Sequence, residues 1–210
     1  MIIDITKIPV LLITIESAKE RHDKLNVIFN SIGFNNVEYI NGKILDKTNL
    51  SFMEIQKKKS ALVADAHIEA LTKVKPPFLI LEDDINITGF FKPQIEVPDD
   101  ADCLYIGSSV WGMVNGVSTG YGTTGTKVND VVCRTHNMLG IHSIVYITKD
   151  YIDATISNLK NCNDKEKFCD ECIAEEMINY KTYCVNYPYF YQNDGHNDLV
   201  TTTPLGVFFR

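Results

Sequence analysis

What this sequence lacks sets the first limits. It has no surplus of positive charge: 20 Lys and Arg stand against 27 Asp and Glu, a net charge of -7. Proteins that grip phosphate backbones carry a basic face, so this balance argues against a nucleic-acid partner. The one basic cluster, Lys57-Lys58-Lys59, is too short to reverse that and reads as the solvated side of a helix. No apolar run approaches the roughly 18 residues that a membrane span requires. No secretory leader is expected either, because Met1-Ile2-Ile3-Asp4-Ile5 lacks a basic start and Asp4 interrupts its apolar run. The expectation is a cytoplasmic protein whose six cysteines are free thiols. Cys169-Asp170-Glu171-Cys172 has no second knuckle to complete a zinc site. Its cysteines read instead as the start of an amphipathic helix with Ile173. The glycines match neither a dinucleotide fingerprint nor a P-loop, and no Gly-Lys-Ser/Thr occurs.

What is present is organised around Phe78-Leu79-Ile80-Leu81-Glu82-Asp83-Asp84-Ile85. A short unbroken apolar run after Pro76-Pro77 reads as a strand buried on both faces. In open α/β sheets, ligands bind beyond the carboxyl ends of the strands, where Glu82, Asp83 and Asp84 would emerge. Three acids at one strand tip repel each other, and a divalent cation relieves that repulsion. Hard oxygen ligands suit Mg2+ or Mn2+. Alternation along an extended chain sends Glu82 and Asp84 one way and Asp83 the other. That leaves two acids for a metal and one for a second ligand.

With 210 residues, 45% of them hydrophobic, the chain is expected to form one domain with a single core. Its apolar ending over residues 204–210 leaves open that this is the N-terminal part of a longer polypeptide. Residues 8–15 read as the first strand. Ser17 is the expected cap of the helix that follows, with Glu20 at the capping-box position and Gly33 as its stop. Residues 37–40 form a short strand closed by Asn41-Gly42. A helix over 52–74 then presents Val63, His67, Ala70, Leu71 and Val74 inward, with His67 read as a core histidine. Asp65 lies on another face, either solvated or pointing over the crevice. Residues 102–106 form a further core strand. The glycine-rich stretch from Gly107 to Gly125 reads as a long loop or hairpin pair, and its Trp111 either stacks on a sugar or packs the loop to the body. Strands over 128–134 and 143–148, helices over 149–159 and 168–180, and a strand from Tyr183 complete the pattern. The β-α-β start implies an α/β fold with a parallel, helix-covered sheet.

In that order the segments resemble a known family. Leu11-Leu12-Ile13-Thr14 through Glu20-Arg21, then residues 61–67, Leu81-Glu82-Asp83-Asp84, Gly140-Ile141-His142-Ser143 through Tyr146-Ile147-Thr148, and Asp170 followed by Tyr187-Pro188 carry the resemblance. The chain is similar to GT-A nucleotide-sugar glycosyltransferases of the family-25 type, which act on lipopolysaccharide and collagen. It also resembles the small glycosyltransferase domain encoded by chlorella viruses. The resemblance implies a GT-A, Rossmann-like mixed and mainly parallel sheet flanked by helices. It implies a UDP-sugar donor and a glycan or glycoprotein acceptor, with the host cytoplasm as the setting of a viral enzyme. Glu82-x-Asp84 would be the counterpart of the D-x-D motif that holds Mn2+ or Mg2+, and His196 a late metal ligand. Thr14, Ile15, Glu16 and Arg21 would border uracil and ribose. Asp65 and Asp83 would face the donor sugar, and His142 would contact substrate.

Breaking a sugar–diphosphate bond builds negative charge on the leaving phosphate, which a bound cation stabilises. Asp170, at a helix start, is the candidate to activate or orient the acceptor hydroxyl, although the helix dipole alone favours an acid there. Inversion and retention both stay open, the viral resemblance leaning to retention. A nucleotidyltransferase acting on sugar phosphates would also use a strand-end acid pair. Such enzymes carry a glycine-rich basic loop after the first strand, which Thr14-Ile15-Glu16-Ser17-Ala18 is not. A non-catalytic carbohydrate-binding domain of the same fold is the third possibility; the retained repulsion of three acids argues against it.

Overall fold

The computed structural model describes residues 1–162 and 167–192. A short strand β1 (Ile2–Asp4) precedes the first core strand β2 (Val10–Thr14). Helix α1 (Lys19–Ile32) returns the chain to β3 (Val37–Asn41), and the long helix α2 (Phe52–Lys73) returns it to β4 (Phe78–Glu82). Next come β5 (Ile85–Ile87), β6 (Gln94–Glu96) and β7 (Cys103–Tyr105). The glycine-rich excursion holds β8 (Gly112–Val114), β9 (Val117–Thr119) and β10 (Gly125–Lys127). Strands β11 (Val132–Thr135) and β12 (Ser143–Tyr146) lead to helices α3 (Lys149–Lys160) and α4 (Cys169–Glu176), then to β13 (Thr182–Val185) and β14 (Phe190–Gln192).

Eight strands form one mixed sheet in the order β10-β11-β13-β7-β12-β4-β2-β3. Only β11 and β12 run against the rest, so six of these eight strands share one direction. Side chains alternate across it. Leu11, Ile13, Phe78, Ile80, Ile144 and Tyr146 pack beneath α2, α3 and α4. Val10, Leu12, Leu79, Leu81 and Val145 pack with Leu25 and Phe29 of α1 on the other face. Both faces of the central strands are therefore covered, which explains their continuous apolar runs. The structure is an α/β fold with a helix-flanked, mostly parallel sheet. No helix among the described residues is long and apolar enough to cross a membrane.

Several local expectations are corrected. Helix α1 begins at Lys19 after Ala18, with no side-chain cap from Ser17 or elsewhere. Its C-terminus does end on Gly33, whose left-handed φ of 83° lets its N–H reach Phe29 O. The capping box belongs to α2: Glu54 N–H donates to Ser51 Oγ, and Ser51 N–H donates to the Glu54 carboxylate at 2.8 Å. Strand β1, three residues long, carries no sequence signature of its own. It pairs with β6 as a separate two-stranded ribbon, too short to show periodicity. The helix expected over 168–180 closes at Glu176 and continues as turns. Cys162 and Cys172 are disulfide-bonded, because α3 and α4 pack together and bring their Cα atoms to 6.1 Å. The expectation of free thiols holds for Cys103, Cys133, Cys169 and Cys184.

The glycine-rich excursion is a hairpin followed by an edge strand. Asn115 and Gly116, both at positive φ, make the two-residue turn between β8 and β9. Asn137 pins the excursion: its Oδ1 accepts from Thr124 N at 2.7 Å, and its Nδ2 donates to Met113 O and Gly122 O at 2.7 and 3.0 Å.

Candidate functional site

The acids at the end of β4 divide as the strand alternation requires. Glu82 continues the α2-facing side of the strand, where His67 Nε2 lies 3.1 Å from its Oε1. Asp83 turns toward α1. In register, β2 sets Ile13 opposite Glu82, so Thr14 falls beside Asp83. The Thr14 hydroxyl donates to Asp83 Oδ2, and Arg21 Nη1 donates to Asp83 Oδ1 at 2.7 Å. His22 Nε2 also meets the Thr14 hydroxyl. Asp83 is thereby engaged by protein groups, while Glu82 and Asp84 converge elsewhere. Gln192 Nε2 donates to Glu82 Oε2 at 3.2 Å and to Asp84 Oδ2 at 3.3 Å. It is delivered there by β14, which pairs with β5 and sets Gln192 opposite Ile85.

Two clefts meet at this point, and Lys59, Val63 and Glu82 line both. The smaller, about 440 Å³, lies over the carboxyl ends of β2, β3 and β4. Its walls carry Thr14, Ile15, Arg21, Asp83 and Asp84, and also Lys43, Lys47 and Lys59. The larger, about 720 Å³, lies between α2, α4 and the glycine-rich excursion. It is lined by Gln56, Ser60, Trp111, Ser118, Tyr121, Asp170 and Gln192, among others.

Asp170 is the second residue of α4, half-buried in the wall of the larger cleft. Loss of hydration on burial pushes its pKa up to about 6, against the lowering effect of the Glu171 N–H it accepts at 2.9 Å. The neighbouring charges of Glu171 and Glu82 add to the rise. Ser118 on β9 donates to the Glu171 carboxylate, fastening the hairpin to α4 beside Asp170.

The remaining sequence candidates do not gather here. Asp65 is exposed on α2 and lines neither cleft, since Val63, Ala66 and His67 take the inward positions of that turn. Glu16 is likewise exposed and outside both linings. His142 is buried at the entry to β12, and burial holds its pKa below the usual imidazole value. Gly107 makes room for it: a Cβ there would sit 2.1 Å from His142 Nε2 and from Ser143 Oγ. His196 lies outside the described residues.

Other residues at the site escaped the sequence reading. His67, read as a core histidine, is buried and also braces Glu82. Lys59, assigned to a solvated face, opens onto both clefts. Lys43 and Lys47 follow the Asn41-Gly42 turn at the end of β3, so the strand-end rule applied to that strand would have found them. Gln192 belongs to the polar run over 189–198, whose side chains are possible ligands, but no spacing there sets it apart from its neighbours.

Among the described residues, no three His, Cys, Asp or Glu side chains gather closely enough to hold a metal ion unaided. Glu82 and Asp84 nonetheless fit a hard divalent cation. Both present a carboxylate oxygen to one hydrogen-bond donor, at the edge of the cleft that Arg21, Lys43, Lys47 and Lys59 line.

No protein-family model matches this chain, and no curated protein matches it. Among solved structures it is similar to CTP:phosphocholine cytidylyltransferase from Streptococcus pneumoniae, with 9% identity and a TM-score of 0.40 over 91% of this chain and 96% of that one. It is also similar to a glycosyltransferase involved in the glycosylation of the major capsid of PBCV-1, with 11% identity and a TM-score of 0.35 over 75% of this chain and 67% of that one. Likeness of this degree places the chain in neither family.

Proposed function

We propose that this chain is a metal-dependent glycosyltransferase of GT-A type, moving a sugar from a UDP-sugar to a hydroxyl of a glycan or glycoprotein. The observation that carries the reading is the convergence of Glu82 and Asp84 at the boundary of two clefts of different character. The smaller cleft, with Arg21, Lys43, Lys47 and Lys59, suits a nucleoside diphosphate; the larger, with Asp170, suits the hydroxyl that attacks. Glu82 and Asp84 would hold Mn2+ or Mg2+, with His196 as a third ligand. That cation, when bound, supplies Lewis-acid stabilisation of the leaving diphosphate. Thr14 and Arg21 keep Asp83 out of that role and hold the strand end in place for the donor. Asp170, with its pKa at about 6, is largely ionised at neutral pH. An ionised carboxylate only accepts hydrogen bonds, so it orients an incoming hydroxyl and can take its proton.

The test is thermal unfolding with UDP, UDP-sugars and Mn2+. A ligand at about 100 times its Kd adds ~2.7 kcal/mol to the folded state, or a midpoint rise of about 5–10 °C at this size. UDP should give that rise only with Mn2+. Asp84→Ala should lose it while keeping its metal-free midpoint. Protection by CTP and a sugar phosphate, with none by UDP-sugars, would select the nucleotidyltransferase instead.

A further inference from the structure

The larger cleft has an aromatic wall that the nucleotide chemistry leaves unused. Trp111, the only tryptophan of the sequence, lines this cleft and is 54% exposed. Its main chain is held from three directions. The N–H donates to Ser109 Oγ at 3.1 Å, and the carbonyl accepts from Thr123 Oγ1 and from Leu139 N, each at 2.7 Å. An exposed tryptophan on a backbone so held offers an apolar ring face to the cleft. Tyr121, 69% exposed, stands in the same lining with a left-handed φ of 57°. A bulky residue takes that conformation only at a cost in backbone energy, and such strain clusters at ligand sites. Among the other residues of the lining are the polar side chains Gln56, Ser60 and Asp170. The Ser118–Glu171 hydrogen bond couples the hairpin that follows Trp111 to the helix that carries Asp170.

We infer that the larger cleft is a pyranose-binding subsite in which Trp111 is the stacking platform, with Tyr121 beside it, and that it selects the sugar acceptor. A pyranose has one face of C–H groups and a rim of hydroxyls. The C–H dipoles meet the negative face of the indole, and the hydroxyls meet amide, hydroxyl and carboxylate groups. The volume of about 720 Å³ lies within the range of clefts that take a small ligand. As an acceptor site this rests on the transferase reading above; as a sugar site it does not.

The sole tryptophan makes the test direct, because its emission reports this cleft and nothing else. The purified chain, without nucleotide or metal, is titrated with methyl glucosides, methyl galactosides, lactose, maltose and cellobiose. At least one should shift the emission saturably. Trp111→Ala, followed by isothermal titration, should weaken that sugar about tenfold or more, whereas Trp111→Phe should retain most of the affinity. A spectrum unmoved by every sugar would overturn the inference, as would wild-type affinity in Trp111→Ala. Sugar binding that persists in a protein insensitive to UDP and Mn2+ would uphold the site and remove the transferase reading, so the two fail separately.

Discussion

Replacing Asp170 by Asn should make the metal-free protein more stable and the metal-loaded enzyme less active, and the size of the stability gain follows from its surroundings. Burial raises this carboxyl from 3.8 to about 6. At ~1.4 kcal/mol per tenfold change in acidity, the folded state gives up at most ~3 kcal/mol to keep it charged at neutral pH. Asp170 lines an open cleft and keeps some water contact, so about 2 kcal/mol is the better figure. The pH window follows from the sign. Below 3.8 the acid is protonated both folded and unfolded, and the charge costs nothing. Between 3.8 and about 6 the folded state holds more protons than the unfolded one, so stability falls as pH rises. Above about 6 the whole cost is present. Asn mimics the neutral form and can still accept the Glu171 N–H through its Oδ1. Urea unfolding in chelator should therefore show Asp170→Asn ahead by about 2 kcal/mol at pH 7.5 and level with wild type near pH 4. Transfer activity at pH 7.5 should drop by about a hundredfold or more. A variant less stable than wild type at pH 7.5, or ahead by the same margin at both pH values, would refute the reasoning.

Two further outcomes test how the site is held. Gln192→Ala removes the amide that donates to both Glu82 and Asp84, a group any bridging cation must displace. Mn2+ should then bind about tenfold more tightly by titration calorimetry, a difference of ~1.4 kcal/mol; unchanged affinity would mean the cation sits elsewhere. Gly107→Ala places a methyl 2.1 Å from His142 Nε2 and Ser143 Oγ. Overpacking of that kind costs about 1–3 kcal/mol, so the midpoint should fall by several degrees. A neutral Gly107→Ala would show that His142 can move aside.

Much of this architecture could be read before any fold was known, and the reason is periodicity. Residues 78–82 announce a doubly buried strand, and the alternation that sends Asp83 away from Glu82 and Asp84 depends only on extended backbone. The long α2 and the glycine stop at Gly33 are equally local. Three-residue strands such as β1 and β6 carry no usable period, so their pairing escaped notice. Asp65, which the sequence leaves between solvent and crevice, lies exposed and outside both clefts, because helical phase alone does not say which side of a helix overlooks a cleft.

The sequence by itself determined the layered α/β plan and the acid-tipped strand at its centre, since both arise from backbone geometry and the burial of alternating side chains. Only the tertiary structure decided what those acids meet. Gln192 reaches Glu82 across 110 residues and Asp84 across 108, His67 reaches Glu82 across 15, Lys43 and Lys47 arrive from the end of a neighbouring strand, and Trp111 comes to share a cleft with Asp170. Such meetings depend on strand order and on how helices dock, which are settled by long-range packing that no local pattern encodes.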